Sequence, residues 1–147
     1  MIKEIRDLVK RVLKDLDCYS IDAVNLVMRT GMAETGFRHL KQINGRAIGF
    51  FQVEPLTAFD LWENFAQSRP KYRDVLLRYG FDDGDLRFIV TSNIAIQIAL
   101  CRLHYRRFKE PIPTTLEGQA KYWKAFYNTK RGKGTVEHFI EANGGEK

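Results

Sequence analysis

Apolar residues recur at steps of three and four along almost the whole chain. Ile2, Ile5, Leu8, Val9, Val12, Leu13 and Leu16 form the first such stripe, with Lys, Arg, Asp and Glu between them. A period near 3.6 makes one apolar face on an α-helix, and that face must be buried against another element. A second stripe, Ile21, Val24, Val27 and Met28, follows Ser20, whose hydroxyl suits an N-cap, and runs toward Glu34. Gly31 sits inside it. Glycine there costs about 1 kcal/mol of helix propensity against alanine and opens a notch for another segment. Pro55 suits the first turn of a helix over 57–67, and a further helix fills 70–79 with Gly80 as its stop. The longest periodic stretch, about 85–108, turns Leu86, Ile89, Val90, Ile94, Ile98, Cys101 and Leu103 inward and is expected to break near 91–93. Thr114-Thr115-Leu116-Glu117 has capping-box spacing ahead of a helix through Tyr127. Thr135 can cap a last short helix ending at Asn143-Gly144.

Only residues 36–55 lose this period. Asn44-Gly45 tolerates positive φ and marks a turn between short strand-like pieces at 39–43 and 47–53. The expectation is a mainly α fold of six or more helices with a small β-like hairpin insertion near residues 38–53. A length of 147 residues favours one domain. Within it, 1–19 is an amphipathic N-terminal helix and 20–142 the core.

Composition removes several functions. Apolar residues are 44% and charged residues 29%, which argues against disorder. The net charge of +6 suits an anionic partner: nucleic acid, an acidic membrane surface or an acidic wall polymer. No apolar run approaches the ~20 residues of a membrane span. The opening MIKEIRDLVKRVLKDLDCYS places charges where a signal peptide needs an unbroken apolar stretch, so no secretory address is expected. Cys18 and Cys101 are too few for a disulfide scaffold and are expected as buried, reduced thiols. His39, His104 and His138 have no partner at ligand spacing, so no metal and no cofactor is expected. Gly132-Lys133-Gly134-Thr135 lacks the upstream glycine and strand of a phosphate loop and is read as a turn.

Glu34 alone would be a solvated helix glutamate. Its surroundings are more specific: Ala33-Glu34-Thr35-Gly36-Phe37, then Ala47-Ile48-Gly49-Phe50-Phe51-Gln52-Val53-Glu54-Pro55-Leu56-Thr57-Ala58. Together they resemble the catalytic pattern of the SLT-type lytic transglycosylases of the lysozyme superfamily. In that family a Glu-Ser pair ends one helix, a Gly-Leu-Met-Gln stretch follows on a β-like loop, and Pro-x-Thr-Ala opens the next helix. Asn93-Ile94 and the helix to Leu103 resemble the family's Asn-Ile-x-x-Gly-x-x-Tyr-Leu helix. Phe126-Tyr127-Asn128 resembles its Ala-Tyr-Asn-Ala-Gly stretch. The four blocks occur in family order between about Ala23 and Thr135. Thr35 stands for the serine, Phe50-Phe51 for Leu-Met, and Ile98-Ala99 where a small residue is usual. Thr129-Lys130-Arg131-Gly132 makes a longer, more basic loop than Ala-Gly.

The resemblance implies a lysozyme-like domain that cleaves the MurNAc–GlcNAc bond of peptidoglycan. Glu34 would act first as acid and then as base, closing a 1,6-anhydro ring. A carboxyl group near its ordinary pKa is ionised at neutral pH, so Glu34 must be sheltered, with Phe37, Phe50, Phe51 and Tyr127 as the expected walls. By the same resemblance Gln52 holds the sugar's polar groups, Phe51 lies beside the sugar cleft, Tyr127 hydrogen-bonds Glu34, and Thr35 supports it. Asn128 contacts substrate or merely turns the chain. Glu54 and Asp60 are the candidates for a second carboxylate in a hydrolytic, lysozyme-like muramidase; both are expected to be structural. Trp123, Phe126 and Tyr127 share a helix face, with core packing as the default and sugar stacking open to one of them. Phe59 and Trp62 are assigned to the core, and Arg102, Arg106, Arg107 and Lys109 to a solvated helix end.

A small domain without an export signal fits a bacteriophage protein acting on the wall from the host cytoplasm or from the virion. Glycan strands, and in a virion other phage proteins, are then its partners. A virion structural protein that kept the fold without activity is the competing reading. A helical nucleic-acid module is disfavoured: no base-reading helix-turn-helix is visible, and it would leave Glu34 and its loop unexplained.

Overall fold

The computed structural model describes residues 1–41, 45–129 and 132–145. It is mainly helical, with eight α-helices among the described residues: α1 (Ile2–Asp15), α2 (Ile21–Glu34), α3 (Pro55–Leu61), α4 (Pro70–Arg78), α5 (Leu86–Ser92), α6 (Ile94–Arg106), α7 (Leu116–Trp123) and α8 (Val136–Ala142). α3 and α7 each run on into a π-helical turn, Trp62–Ala66 and Lys124–Asn128.

Helix starts follow local chemistry. Ser20, Asn93, Thr115 and Thr135 each accept an N–H from the first turn, at 3.0 Å in every case. Each such cap is worth about 1 kcal/mol. Pro55 and Pro70 open α3 and α4, where a missing N–H costs nothing. Asn93 splits the longest periodic stretch: α5 and α6 meet there at 105°.

α6 is the central rod. Every residue from Ile96 to Leu103 is buried, and α1, α2, α3 and α5 all pack on it. α1 contributes Ile5, Val9, Val12 and Leu13, with Leu16 just beyond its end. Ile2 and Leu8, the other members of its stripe, remain exposed because the buried face is narrower than the apolar one. A smaller core of Ala33, Ala120, Trp123 and Phe139 joins α2, α7 and α8. Cys101 is buried and Cys18 half-buried, both as free thiols.

Three sequence expectations need correction. Trp62 is in the core but Phe59 is 44% exposed, because it lies on the outer face of the short α3. The basic cluster at the end of α6 is not uniformly solvated. Arg102 is buried and Arg107 is paired with Asp60 at 2.7 Å, while Arg106 and Lys109 are exposed. The insertion has two isolated antiparallel bridges, Lys41 with Ile48 and Ile48 with Val53, and no strand among the described residues. Asn44 of the expected turn, and the end of the first strand-like piece, lie outside the described residues.

Side chains from helices do the work a ladder would do. Gln97 Oε1 of α6 accepts the Phe50 N–H at 2.9 Å, and its amide nitrogen donates to the Thr91 carbonyl at 3.1 Å. The Thr35 hydroxyl donates to the Phe50 carbonyl at 2.7 Å. Tyr127 donates to the Phe51 carbonyl at 2.6 Å. Under this loop lies Phe37, edge-on to both Phe50 and Phe51 with ring centroids 5.6 and 5.7 Å away. Its ring occupies the notch left by Gly31, where a Cβ would fall 2.2 Å from Phe37 Cζ. Gly31→Ala should therefore destabilise the protein by about 1–3 kcal/mol despite alanine's better helix propensity, as measured by urea unfolding. An unchanged or raised midpoint would show that the Phe37 ring does not need the notch.

Candidate active site

α2 ends at Glu34, and Thr35, Gly36 and Phe37 turn the chain away from it. Gly36 and Phe37 both have positive φ, +62° and +56°. This turn leaves the Glu34 side chain between the small core of α7 and α8 and an open groove of about 830 Å³. Glu34, Gln52, Glu54, Trp123, Tyr127 and Asn128 line that groove.

Among the described residues the Glu34 carboxyl has one hydrogen-bond donor, the indole N–H of Trp123, 2.9 Å from Oε2. No Lys or Arg forms an ion pair with it among the described residues. Burial pushes its pKa up to about 7, and the Trp123 hydrogen bond pulls the other way. Because Trp123 occupies Oε2, Oε1 is the oxygen left to carry a proton. Trp123 is itself held by Phe139 of α8, with ring centroids 5.2 Å apart. The Ala33 carbonyl, next to Glu34, accepts from Nε2 of His138 at 2.7 Å. Glu34 is thus fixed from α7 and α8 at once.

The other expected site residues fall into two groups. Gln52 and Asn128 are on the groove. The Gln52 amide nitrogen donates to the Gly49 carbonyl at 3.0 Å, which leaves its carbonyl oxygen free as an acceptor. The Asn128 oxygen accepts from Lys124 Nζ at 2.8 Å, which leaves its NH2 free as a donor. Thr35, Phe51 and Tyr127 serve the scaffold in ways the sequence did not indicate. Thr35 bonds the Phe50 carbonyl and the Phe37 N–H, so it pins the loop rather than the acid. Phe51 is fully buried and does not line the groove. Tyr127 lines the groove, but its hydroxyl goes to the Phe51 carbonyl; Trp123 has the place beside Glu34 expected for it. Of the expected apolar walls only Tyr127 borders the groove, since Phe37, Phe50 and Phe51 pack beneath the loop.

Asp60 is away from the groove, tied to Arg107 and to Asn64 Nδ2 at 2.6 Å, and these contacts hold its carboxyl below the usual range. Glu54 does line the groove, at the start of α3. His104 lines it too. Burial lowers its pKa to about 4, so it is neutral at pH 7. Its Nε2 sits 3.0 Å from the Phe126 carbonyl, which can only accept, so Nε2 carries the hydrogen and Nδ1 faces Arg107. The Lys130-Arg131 part of the basic loop lies outside the described residues. Among the described residues no cluster of His, Cys, Asp or Glu could hold a metal ion.

Trp123 is the functional partner that sequence reasoning missed. The available signal is its position one turn before Tyr127 on the same helix face. Comparisons of the chain with protein-family models, with curated proteins and with solved structures return no match.

Two measurements test this site. The Glu34 side-chain carbon should titrate near pH 7 by NMR, and Trp123→Phe should raise that midpoint further by removing the donor. A midpoint near 4.5 would mean the carboxyl is solvated. Stability should respond with a defined sign. The folded pKa of about 7 exceeds the ordinary value of 4.5, so the native state binds the extra proton. Stability is then full below about pH 4.5 and falls as pH rises to about 7, by roughly 3 kcal/mol from this group at most. Glu34→Gln should remove that slope in pH-dependent denaturation.

Proposed function

We propose that this chain cleaves the MurNAc–GlcNAc glycosidic bond of peptidoglycan as a lytic transglycosylase, with a lysozyme-like arrangement of helices around the groove. The observation that carries the reading is the Glu34 carboxyl, without an ion pair among the described residues and raised to about 7, opening onto a groove of about 830 Å³. At pH 7 about half of such groups hold a proton, against roughly one in three hundred at a pKa of 4.5. That protonated fraction is what acid catalysis of a glycoside needs.

The chemistry requires one carboxyl group acting twice. Protonated Glu34 gives its hydrogen to the bridging oxygen as the bond from C1 of MurNAc to that oxygen breaks. The GlcNAc end leaves as an alcohol. Glu34, now a carboxylate, takes the hydrogen of the MurNAc 6-hydroxyl as that oxygen bonds to C1, and the 1,6-anhydro ring closes. Glu34 ends protonated, as it began. Gln52 offers an acceptor and Asn128 a donor to the sugar hydroxyls and acetamido groups. The place of action is the bacterial wall, reached from a host cytoplasm or from a phage particle.

A second reading rests on Glu54, which lines the same groove. It would activate a water, giving a hydrolytic muramidase. Digesting purified peptidoglycan and weighing the soluble muropeptides separates the two. Anhydro ends support the transglycosylase, and products one water heavier support the muramidase. Glu34→Gln should lower release by at least about a hundredfold while preserving the circular dichroism spectrum. Full activity in that variant would overturn the assignment of Glu34. No release by the unaltered protein would overturn the enzymatic reading and favour a virion structural role.

A further inference from the structure

A second recess, of about 270 Å³, lies where the end of α6 meets the start of α2. Ser20 caps α2 and Asp22 lies in its first turn; Arg102, Arg106 and Lys109 come from the end of α6 and the turn after it. Arg102 and Arg106 are one turn apart on one face of α6. His104, two residues from each, points instead toward the groove that holds Glu34.

Arg102 is unusual for a charged side chain. It is only 8% exposed, yet it forms no ion pair among the described residues. Its Nε donates to the Cys18 carbonyl at 3.3 Å, and the guanidinium also meets the Cys18 thiol. The two terminal amino groups form the fork that grips planar or tetrahedral oxyanions, and no carboxylate among the described residues occupies it. These nitrogens open on the recess, since no Arg102 nitrogen is both enclosed and without a partner, and an anion there would supply the counter-charge that no described carboxylate gives. Arg107, the neighbouring arginine, shows the contrast: its charge is answered by Asp60.

The start of α2 adds a second attraction. Its first N–H groups lack acceptors within the helix, and only that of Ala23 is taken by the Ser20 hydroxyl. α2 is 14 residues long, and its first turn borders the recess through Ser20 and Asp22. The carboxylates of Asp22 and Glu110 are also on the rim and offset part of the field. Three cations against two anions leave a net positive site.

From this we infer that the recess binds a phosphoryl group, held by the Arg102 fork, with Arg106 and Lys109 closing over it. A volume of about 270 Å³ takes a phosphate with a short organic stem and not a sugar chain. The site is separate from the chemistry of Glu34 and does not depend on it. The phosphoryl group has two sources, a free phosphate monoester or a phosphodiester in a polymer.

The test is an amide NMR titration of the full chain with sodium phosphate at constant ionic strength. Saturable shifts should appear at the amides of Ile21, Asp22, Lys109, Glu110 and Ile112, with a Kd of about 1 mM or tighter. Arg106→Ala/Lys109→Ala alters exposed residues only and should weaken binding at least tenfold. Arg102→Lys keeps the charge but loses the fork, and should weaken it similarly; its melting curve checks that it folds. Glu34→Gln should bind phosphate as the unaltered protein does. Dimethyl phosphate distinguishes the sources: comparable affinity supports a polymer diester, and a marked loss supports a free monoester. Absence of saturable shifts, or unchanged binding in the double variant, would overturn the proposal and leave these cations serving only the negative end of α6.

Discussion

Phe37 turns back over α2 and fills the space that Gly31 leaves open, and both the acid and its groove depend on that contact. Its ring presses on Gly31 from one side and meets Phe50 and Phe51 from the other. The plug therefore sets where α2 ends and where the following loop lies. Thr35 reinforces it by accepting the Phe37 N–H while donating to the Phe50 carbonyl. A hydrogen bond alone would leave this loop free to slide. Interlocked rings of fixed volume do not, because a packed interior has no spare space to accept a shifted phenyl group.

The electrostatics of Glu34 differ from those of the other carboxylates whose environment alters them. Asp15 accepts from Tyr79 and is flanked by Arg11 and Arg78, and its pKa is lowered. Asp60 is lowered by Asn64 and Arg107. Glu34 has burial working against its charge and only a neutral indole in its favour. The protein has a net charge of +6, yet none of its described cations pairs with this group. A single nearby guanidinium would cancel the shift, since an opposite charge favours ionisation about as strongly as burial opposes it.

Much of the architecture was legible because helices are local. The Ser20 and Thr135 caps, the break at Asn93 and the stops at Gly80 and Gly144 depend on residues within one turn of each other, although at α7 the cap is Thr115 onto Gly118 and not the Thr114–Glu117 pair of the capping-box spacing. The notch at Gly31 was legible as a notch, and its occupant was not. The 38–53 insertion was harder. Strand-like residues there form only isolated bridges, because Gln97, Thr35 and Tyr127 supply the partners, and those lie 47, 15 and 76 residues away in sequence. Phe51 was misplaced for the same reason. A phenylalanine beside a glutamine reads equally well as a groove wall or as core, and only packing decides between them.

Sequence alone determined that this chain is mainly helical, where most helices begin, and that Glu34 stands at a helix end beside a glycine- and aromatic-rich loop. Period, caps and turn residues act over a few positions and carry their own physical cause. Tertiary structure decided that Trp123, 89 residues away, is the donor to Glu34 and that Tyr127 instead holds the loop. It also decided that Arg102 is buried with no ion pair among the described residues. These are consequences of which helices cross and how deeply side chains are enclosed. Hydrogen-bond partners and desolvation are properties of the assembled interior, and no stretch of sequence contains them by itself.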